Sequence, residues 1–316
     1  MMHVVRSTAT AWAALALAVL FWGLSFVGSK IALSGGEAGG QGLPPLTLLA
    51  IRFCLGALVF GPLLLRRPRR RWTPRLLLRI LAMAACLPGA YFVLEIYAVS
   101  MTSAAKAALI AACIPVTVLC IGSLLRGERP GWRLLCGAAA ALAGVAMLVA
   151  GEGGLGGGVN PGDGLMLLAV LAAAGYMLQA DILGRELGVQ AVTAWQMLWG
   201  AVFFLPLGLW QGAGVELAAV SAQAWLATLG LALFPTLAAF WAYNHALAHL
   251  GAGRASLGIN LVPLVATLGA WAMLGEAMTL RQGLGGAGIL LGVLLATLPR
   301  QGAADDAAPA ESCCPE

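Results

Sequence analysis

Glu95 and Arg52 are charged residues set inside long apolar stretches, where a charge is either functional or costly. A carboxylate at the centre of a membrane helix costs about 2.5 to 3.5 kcal/mol on insertion scales, and less toward the interface. Glu95 is therefore expected to face polar or watery protein interior. Tyr91 lies one helical turn earlier on the same face. The pair is a candidate proton site or a partner for a substrate amine, and a salt bridge from Glu95 to Lys106 or Arg52 is the structural alternative. Arg52 is a candidate clamp for a substrate carboxylate or the counter-ion of Glu95.

Other polar and aromatic groups fall inside apolar stretches. Trp22, Tyr176, Gln179, Gln196, Trp241 and Asn260 are binding candidates. Tyr176 and Gln179 share one helix face, and Asn260 precedes Pro263 by three residues. Trp241 and His245 share a face one turn apart, beside Tyr243 and Asn244; interfacial anchoring is the competing role for such aromatic residues. Pro115 and Pro263 each fall near the middle of a stretch, where proline removes a backbone hydrogen bond and kinks a helix, so they are structural or gating candidates. Glu128 and Glu276 stand in loops ahead of a helix, where a carboxylate favours the positive end of the following dipole.

Several chemistries are excluded by pattern. His3, His245 and His249 form no HExxH, no GxSxG elbow is present, and the cysteines form no CxxC, so neither an enzyme constellation nor a metal site is expected. Cys54, Cys86, Cys113, Cys120 and Cys136 read as small buried hydrophobes. Cys313 and Cys314 lie in a polar, Ala-rich tail. The Gly-rich run from Gly151 to Gly164 lacks the Lys-Ser/Thr ending of a phosphate-binding loop and reads as a linker. No cofactor is implied.

The elements that must position these groups follow from composition. The chain of 316 residues is 61% hydrophobic and 10% charged. A hydrocarbon core of about 30 Å takes roughly 20 apolar residues per helix. The sequence divides into ten such stretches: Thr10 to Ala32, Leu46 to Leu65, Leu76 to Val99, Ser103 to Leu125, Leu134 to Ala150, Gly164 to Leu183, Val192 to Trp210, Trp225 to Leu247, Ala255 to Leu274 and Leu284 to Leu298. The first follows Arg6 and is too long for a secretory signal core, so it reads as an uncleaved span.

With the N-terminus inside, Arg6, the cluster from Arg66 to Arg79, Arg126, Arg129, Arg133, Arg185, Arg254 and Arg300 all fall on the cytoplasmic face, and Lys30, Lys106 and Arg281 fall outside. The positive-inside rule then places both termini in the cytoplasm, across the inner (plasma) membrane. The net charge of +5 reports topology rather than nucleic-acid binding.

A shift of 148 positions lays Lys106 on Arg254, Pro115 on Pro263, Gly127-Glu128 on Gly275-Glu276, Arg133 on Arg281, Gly137 on Gly285 and Gly144 on Gly292. A shift of 144 lays Gly56 on Gly200, Pro62 on Pro206 and Arg52 on Gln196. This is an internal duplication. Five spans per copy is odd, so the copies enter the bilayer in opposite senses, the architecture of carriers that hold substrate between inverted halves. The expected fold is all-α and integral to the membrane: residues 10–150 as the first repeat, 151–163 as a periplasmic linker, 164–299 as the second repeat and 300–316 as a disordered cytoplasmic tail. Gly288 and Gly292 make a small-xxx-small face, assigned to packing within a monomer ahead of a homodimer.

Two segments carry a family resemblance: Tyr97-Ala98 through Ser103-Ala104-Ala105, Pro115, Gly127-Glu128 and Gly144, and Tyr243-Asn244 through Gly251-Ala252, Arg254-Ala255-Ser256, Pro263, Leu274-Gly275-Glu276 and Gly292. In both, the chain resembles the EamA-type, ten-helix branch of the drug/metabolite transporter superfamily, from about Thr10 to Pro299. Trp22-Gly23 matches the opening helix of that family in the first copy, whereas the second copy has Ala173-Ala174 there. The resemblance implies a secondary exporter of amino acids or similar small metabolites, working by alternating access with lipid bilayer and small-molecule substrate as its partners. A channel-like facilitator and a non-transporting membrane adaptor are the alternatives.

Overall fold

The structure is a computed structural model that describes residues 2–36, 40–65, 73–125, 127, 131–149, 160–250 and 260–297. Among these residues every extended element is a helix, and the only strand-like pairing is the single bridge between Gln41 and Val220. Most of the arginine cluster, Glu128, Arg254, the Gly-rich run up to 159 and the tail with Cys313 and Cys314 lie outside the described residues.

The helices in chain order are α1 (Met2–Ser34), α2 (Pro45–Leu65), α3 (Pro74–Ala84), α4 (Tyr91–Met101), α5 (Ala104–Ala111), α6 (Ile114–Leu125), α7 (Trp132–Val149), α8 (Pro161–Leu187), α9 (Val189–Gly212), α10 (Ala222–Leu231), α11 (Ala239–Leu250), α12 (Val262–Leu274) and α13 (Leu280–Thr297). Among the described residues seven segments are long and apolar enough to cross a membrane: Ala9–Ser34, Pro45–Leu64, Pro74–Met101, Ala104–Leu125, Pro161–Gly184, Gln190–Gly212 and Ala222–Tyr243. Shorter apolar helices cover Trp132–Met147, Val262–Leu274 and Leu280–Ala296. Large side chains such as Leu58, Leu142, Trp210 and Leu291 point outward, as lipid-facing residues of a multi-pass membrane protein do.

Two spans are interrupted at a proline: Ala85–Ala90 is a kink, with Leu87 in an extended conformation just before Pro88, and Ala232–Ala238 is a π-helical turn around Pro235. In each, proline deletes a backbone donor in mid-span; the first span breaks there, and the second adds a residue to the turn. These, rather than Pro115 and Pro263, are the mid-helix proline distortions. Pro115 sits in the first turn of α6, just after a break at Ala112–Cys113, and Pro263 in the first turn of α12. A first-turn proline loses no intrahelical bond.

The most extensive helix pairings are α2 with α9 and α7 with α13. Glycines make this approach possible. A Cβ on Gly137 would lie 2.5 Å from the Gly292 carbonyl oxygen, and one on Gly144 would lie 2.5 Å from that of Gly285. Gly288 also borders Gly144, so this small-residue face is used inside the chain. On the other pair, Gly56 abuts Met197 and Gly200 abuts Phe53. We expect Gly137→Val and Gly144→Val each to destabilise the detergent-purified protein by about 1 to 3 kcal/mol in thermal unfolding, from overpacking. Gly283→Ala, where an added Cβ meets nothing, should leave the melting temperature unchanged.

Candidate functional site

Several of the polar residues lie beside these two proline interruptions. Tyr91 begins α4 directly after the first of them, and its hydroxyl donates to Glu95 Oε1 at 3.2 Å. Arg52, on α2, is 5% exposed and lies within Coulombic reach of Glu95 and Tyr91. Its guanidinium sits 5.4 Å from the centre of the Phe92 ring, and its Nε donates to Thr236 Oγ1 at 3.3 Å. Thr236 in turn donates to the Leu231 carbonyl at 2.9 Å, across the π-helical turn. Arg52 is thus held by Phe92 and Thr236, with Glu95 within electrostatic reach. Glu95 itself remains partly exposed.

A second wall is aromatic. Trp22 Nε1 donates to the Pro235 carbonyl at 3.1 Å, using an acceptor that the distorted turn leaves available. The Trp22 ring lies 5.1 Å from Tyr243 and 5.5 Å from Phe240. On α1, Lys30 reaches the carbonyls of Val99 and Thr102 at the end of α4. Trp22 and Tyr91 each lie eight residues, about 12 Å of helix, below that contact, so they stand at one depth. Tyr176 donates to Gln196 Oε1 at 3.0 Å and borders Tyr243 electrostatically.

The structure therefore brings together Trp22, Arg52, Tyr91, Glu95, Tyr176 and Gln196. Gln179 lies one turn beyond Tyr176 on α8, and Asn260 lies in the turn before α12. Trp241 does not join them. It is 66% exposed and stacks on His245 at 5.9 Å, so it points outward, which fits the interfacial-anchor alternative. Residue-type reasoning passed over Phe92, Thr236 and Phe240. The signal available for them was the internal repeat, since Pro88 and Pro235 lie at nearly the offset that relates the other prolines.

A second polar network closes one end of the bundle. Lys106 forms an ion pair with Asp163, whose other oxygen accepts from Thr102 Oγ1 at 2.9 Å. Asp163 is fully buried in the first turn of α8, which starts at Pro161 with Asn160 as its N-cap. It belongs to a helix and not to a linker, because the Asn-Pro pair starts the helix before Gly164. Salt-bridge partnership of Lys106 thus falls to Asp163 and not to Glu95. Glu276 does not cap the helix that follows it. Its two carboxylate oxygens accept from the backbone N–H groups of Ala104 and Ala105 at 3.1 and 3.2 Å, at the start of α5. Glu128 lies outside the described residues.

Among the described residues no group of three or more His, Cys, Asp or Glu side chains could hold a metal ion. A model of the EamA-like transporter family matches residues 10–150 and again 160–298. A probable terminal-alkyne amino-acid exporter of Streptantibioticus cattleyicolor is 31% identical over 89% of this chain and 91% of its own length. An uncharacterized transporter of Archaeoglobus fulgidus is 24% identical over 92% of this chain and 99% of its own. One solved crystal structure shares the fold, with a TM-score of 0.57 and 23% identity over 92% of this chain and 96% of the other. With both halves of the chain matched by one family model and its relatives transporters, the protein belongs to the EamA-like transporter family and is a membrane transporter.

Proposed function

We propose that the chain is a ten-span carrier of two inverted five-helix repeats, which exports amino acids or related small amphipathic metabolites by alternating access. The observation that carries the architecture is reciprocal contact. Gly137 corresponds to Gly285 and Gly144 to Gly292 in the repeat, and Gly137 packs on Gly292 as Gly144 packs on Gly285. Likewise Gly56 corresponds to Gly200 and Phe53 to Met197, and Gly56 meets Met197 as Gly200 meets Phe53. Exchange of partners between equivalent positions is what a twofold axis in the membrane plane produces. The arginine distribution supports cytoplasmic termini, an inner-membrane location and an outward position for the Lys106–Asp163 network.

The substrate class is supported by the site. Glu95, partly exposed opposite an aromatic wall, suits an ammonium group with an apolar tail. The name of the 31%-identical relative gives the same class. In this reading Glu95 takes either a proton or the substrate ammonium, so an inward proton gradient drives export. The polar groups serve binding and coupling rather than catalysis, and the monomer is the working unit.

The test is flux of radiolabelled amino acids and nucleosides in proteoliposomes, with and without a proton gradient. Saturable flux of at least one amino acid, stimulated by unlabelled substrate on the opposite side, is expected. Flux that does not saturate would instead favour a channel-like facilitator, and no flux of any compound would favour an adaptor.

A further inference from the structure

Two buried N–H donors near the site have no hydrogen-bond partner among the described residues: Gln196 Nε2 and Trp199 Nε1. Gln196 is fully buried on α9, and its Oε1 is already taken by Tyr176. Trp199 follows at i+3, so the two donors lie one turn apart on neighbouring faces of one helix. Trp199 and Tyr176 both pack against the apolar cluster of Leu76, Ile80, Met83, Leu183 and Val192, between α3, α8 and α9. An unpaired buried donor costs about 1 to 3 kcal/mol, and native proteins seldom leave two together. An acceptor-rich ligand group satisfies both.

We infer that Gln196 and Trp199 form a subsite for the carboxylate of the substrate, an assignment that rests on the amino-acid reading above. Arg52 cannot fill this role while it is enclosed by Phe92 and Thr236 and balanced by Glu95. Neutral donors suit a site whose fixed charges already cancel, because they bind a carboxylate without adding a buried cation. Spacing supports the assignment. Gly56 faces Met197, so Gln196 lies one turn, about 6 Å, from the level of Arg52, toward the opposite end of α2 from the Lys106 network. With its ammonium on Glu95, an α-amino acid would turn its carboxylate toward Gln196 and Trp199.

The test compares L-propargylglycine with but-3-yn-1-amine, which lacks only the carboxyl group, in proteoliposomes of wild type, Trp199→Phe and Gln196→Met. The wild type should carry the amino acid with a kcat/KM at least tenfold above the amine. Trp199→Phe should lose about tenfold for the amino acid and nothing for the amine, which also reports intact folding, and Gln196→Met, which also strips Tyr176 of its acceptor, should lose about tenfold more for the amino acid than for the amine. Equal loss for both compounds, or no loss for either, overturns the subsite. Flux of neither compound through the wild type overturns the amino-acid reading and the subsite with it.

Discussion

Glu95→Gln is expected to lower amino-acid flux by about 100-fold or more and to abolish its response to a proton gradient. Two losses combine. The substrate ammonium loses a charge-assisted partner in a desolvated site, a cost of about 2 to 5 kcal/mol, and each 1.4 kcal/mol is tenfold in binding. The variant also leaves Arg52 without its counter-charge, although Arg52 is 5% exposed and enclosed by Phe92 and Thr236. A lone buried cation is destabilising, so the single variant should melt lower than wild type. Adding Arg52→Gln should recover the melting temperature without recovering the gradient response. Tyr91→Phe removes only the 3.2 Å hydrogen bond to Glu95 and should cost about tenfold or less. A Glu95→Gln protein that still accumulates substrate against its gradient in response to protons would remove Glu95 from the coupling step.

The second large effect concerns the closed end of the bundle. Asp163→Asn breaks an ion pair with Lys106 in which the carboxylate is fully buried and also accepts from Thr102. Removing one partner of a buried pair costs about 3 to 5 kcal/mol, because the other charge is left uncompensated. Lys106 lies on α5 in the first repeat and Asp163 on α8 in the second, so the cost falls on the state in which the halves meet at this end. A bias of about 3 kcal/mol is more than a 100-fold shift of a two-state equilibrium toward the outward-open form. Labelling of Ser29→Cys by an impermeant maleimide from outside should therefore rise sharply and net transport should fall. Glu276→Gln keeps hydrogen-bonding oxygen at the start of α5 and should shift the same readout less. Unchanged labelling in a folded Asp163→Asn protein would make the pair a static staple.

Much of this organisation was legible in the sequence because hydrophobic length and glycine position are strong signals. Seven of the ten expected stretches coincide within a few residues with helices long and apolar enough to cross a membrane, and the other three overlap shorter apolar helices among the described residues. The nearness of Glu95 to Tyr91 was legible from their one-turn spacing, and the burial of Arg52 from the apolar stretch around it. Contacts made across the repeats were not. Glu276 was expected to favour the helix after it, yet it caps α5, since a carboxylate serves whichever helix start the fold brings within reach. Asp163 looked like linker because it follows a Gly-rich run, and only the packing of α8 against Lys106 buries it. Trp241 differs from Tyr243 by two positions on one helix, and the rotation of α11 alone decides that Tyr243 meets Trp22 while Trp241 faces outward.

Reciprocal accessibility is the most direct test of alternating access between inverted repeats. Ser29→Cys, near the end closed by Lys106 and Asp163, and Gln179→Cys, toward the opposite end of α8, would be labelled separately in a background without the native cysteines. Impermeant maleimide would be supplied from each side of the membrane, with and without a transported amino acid. Alternating access requires that substrate raise labelling at one position as it lowers it at the other, and that Asp163→Asn bias the pair toward Ser29→Cys. One fixed pattern, indifferent to substrate and to Asp163→Asn, would contradict it.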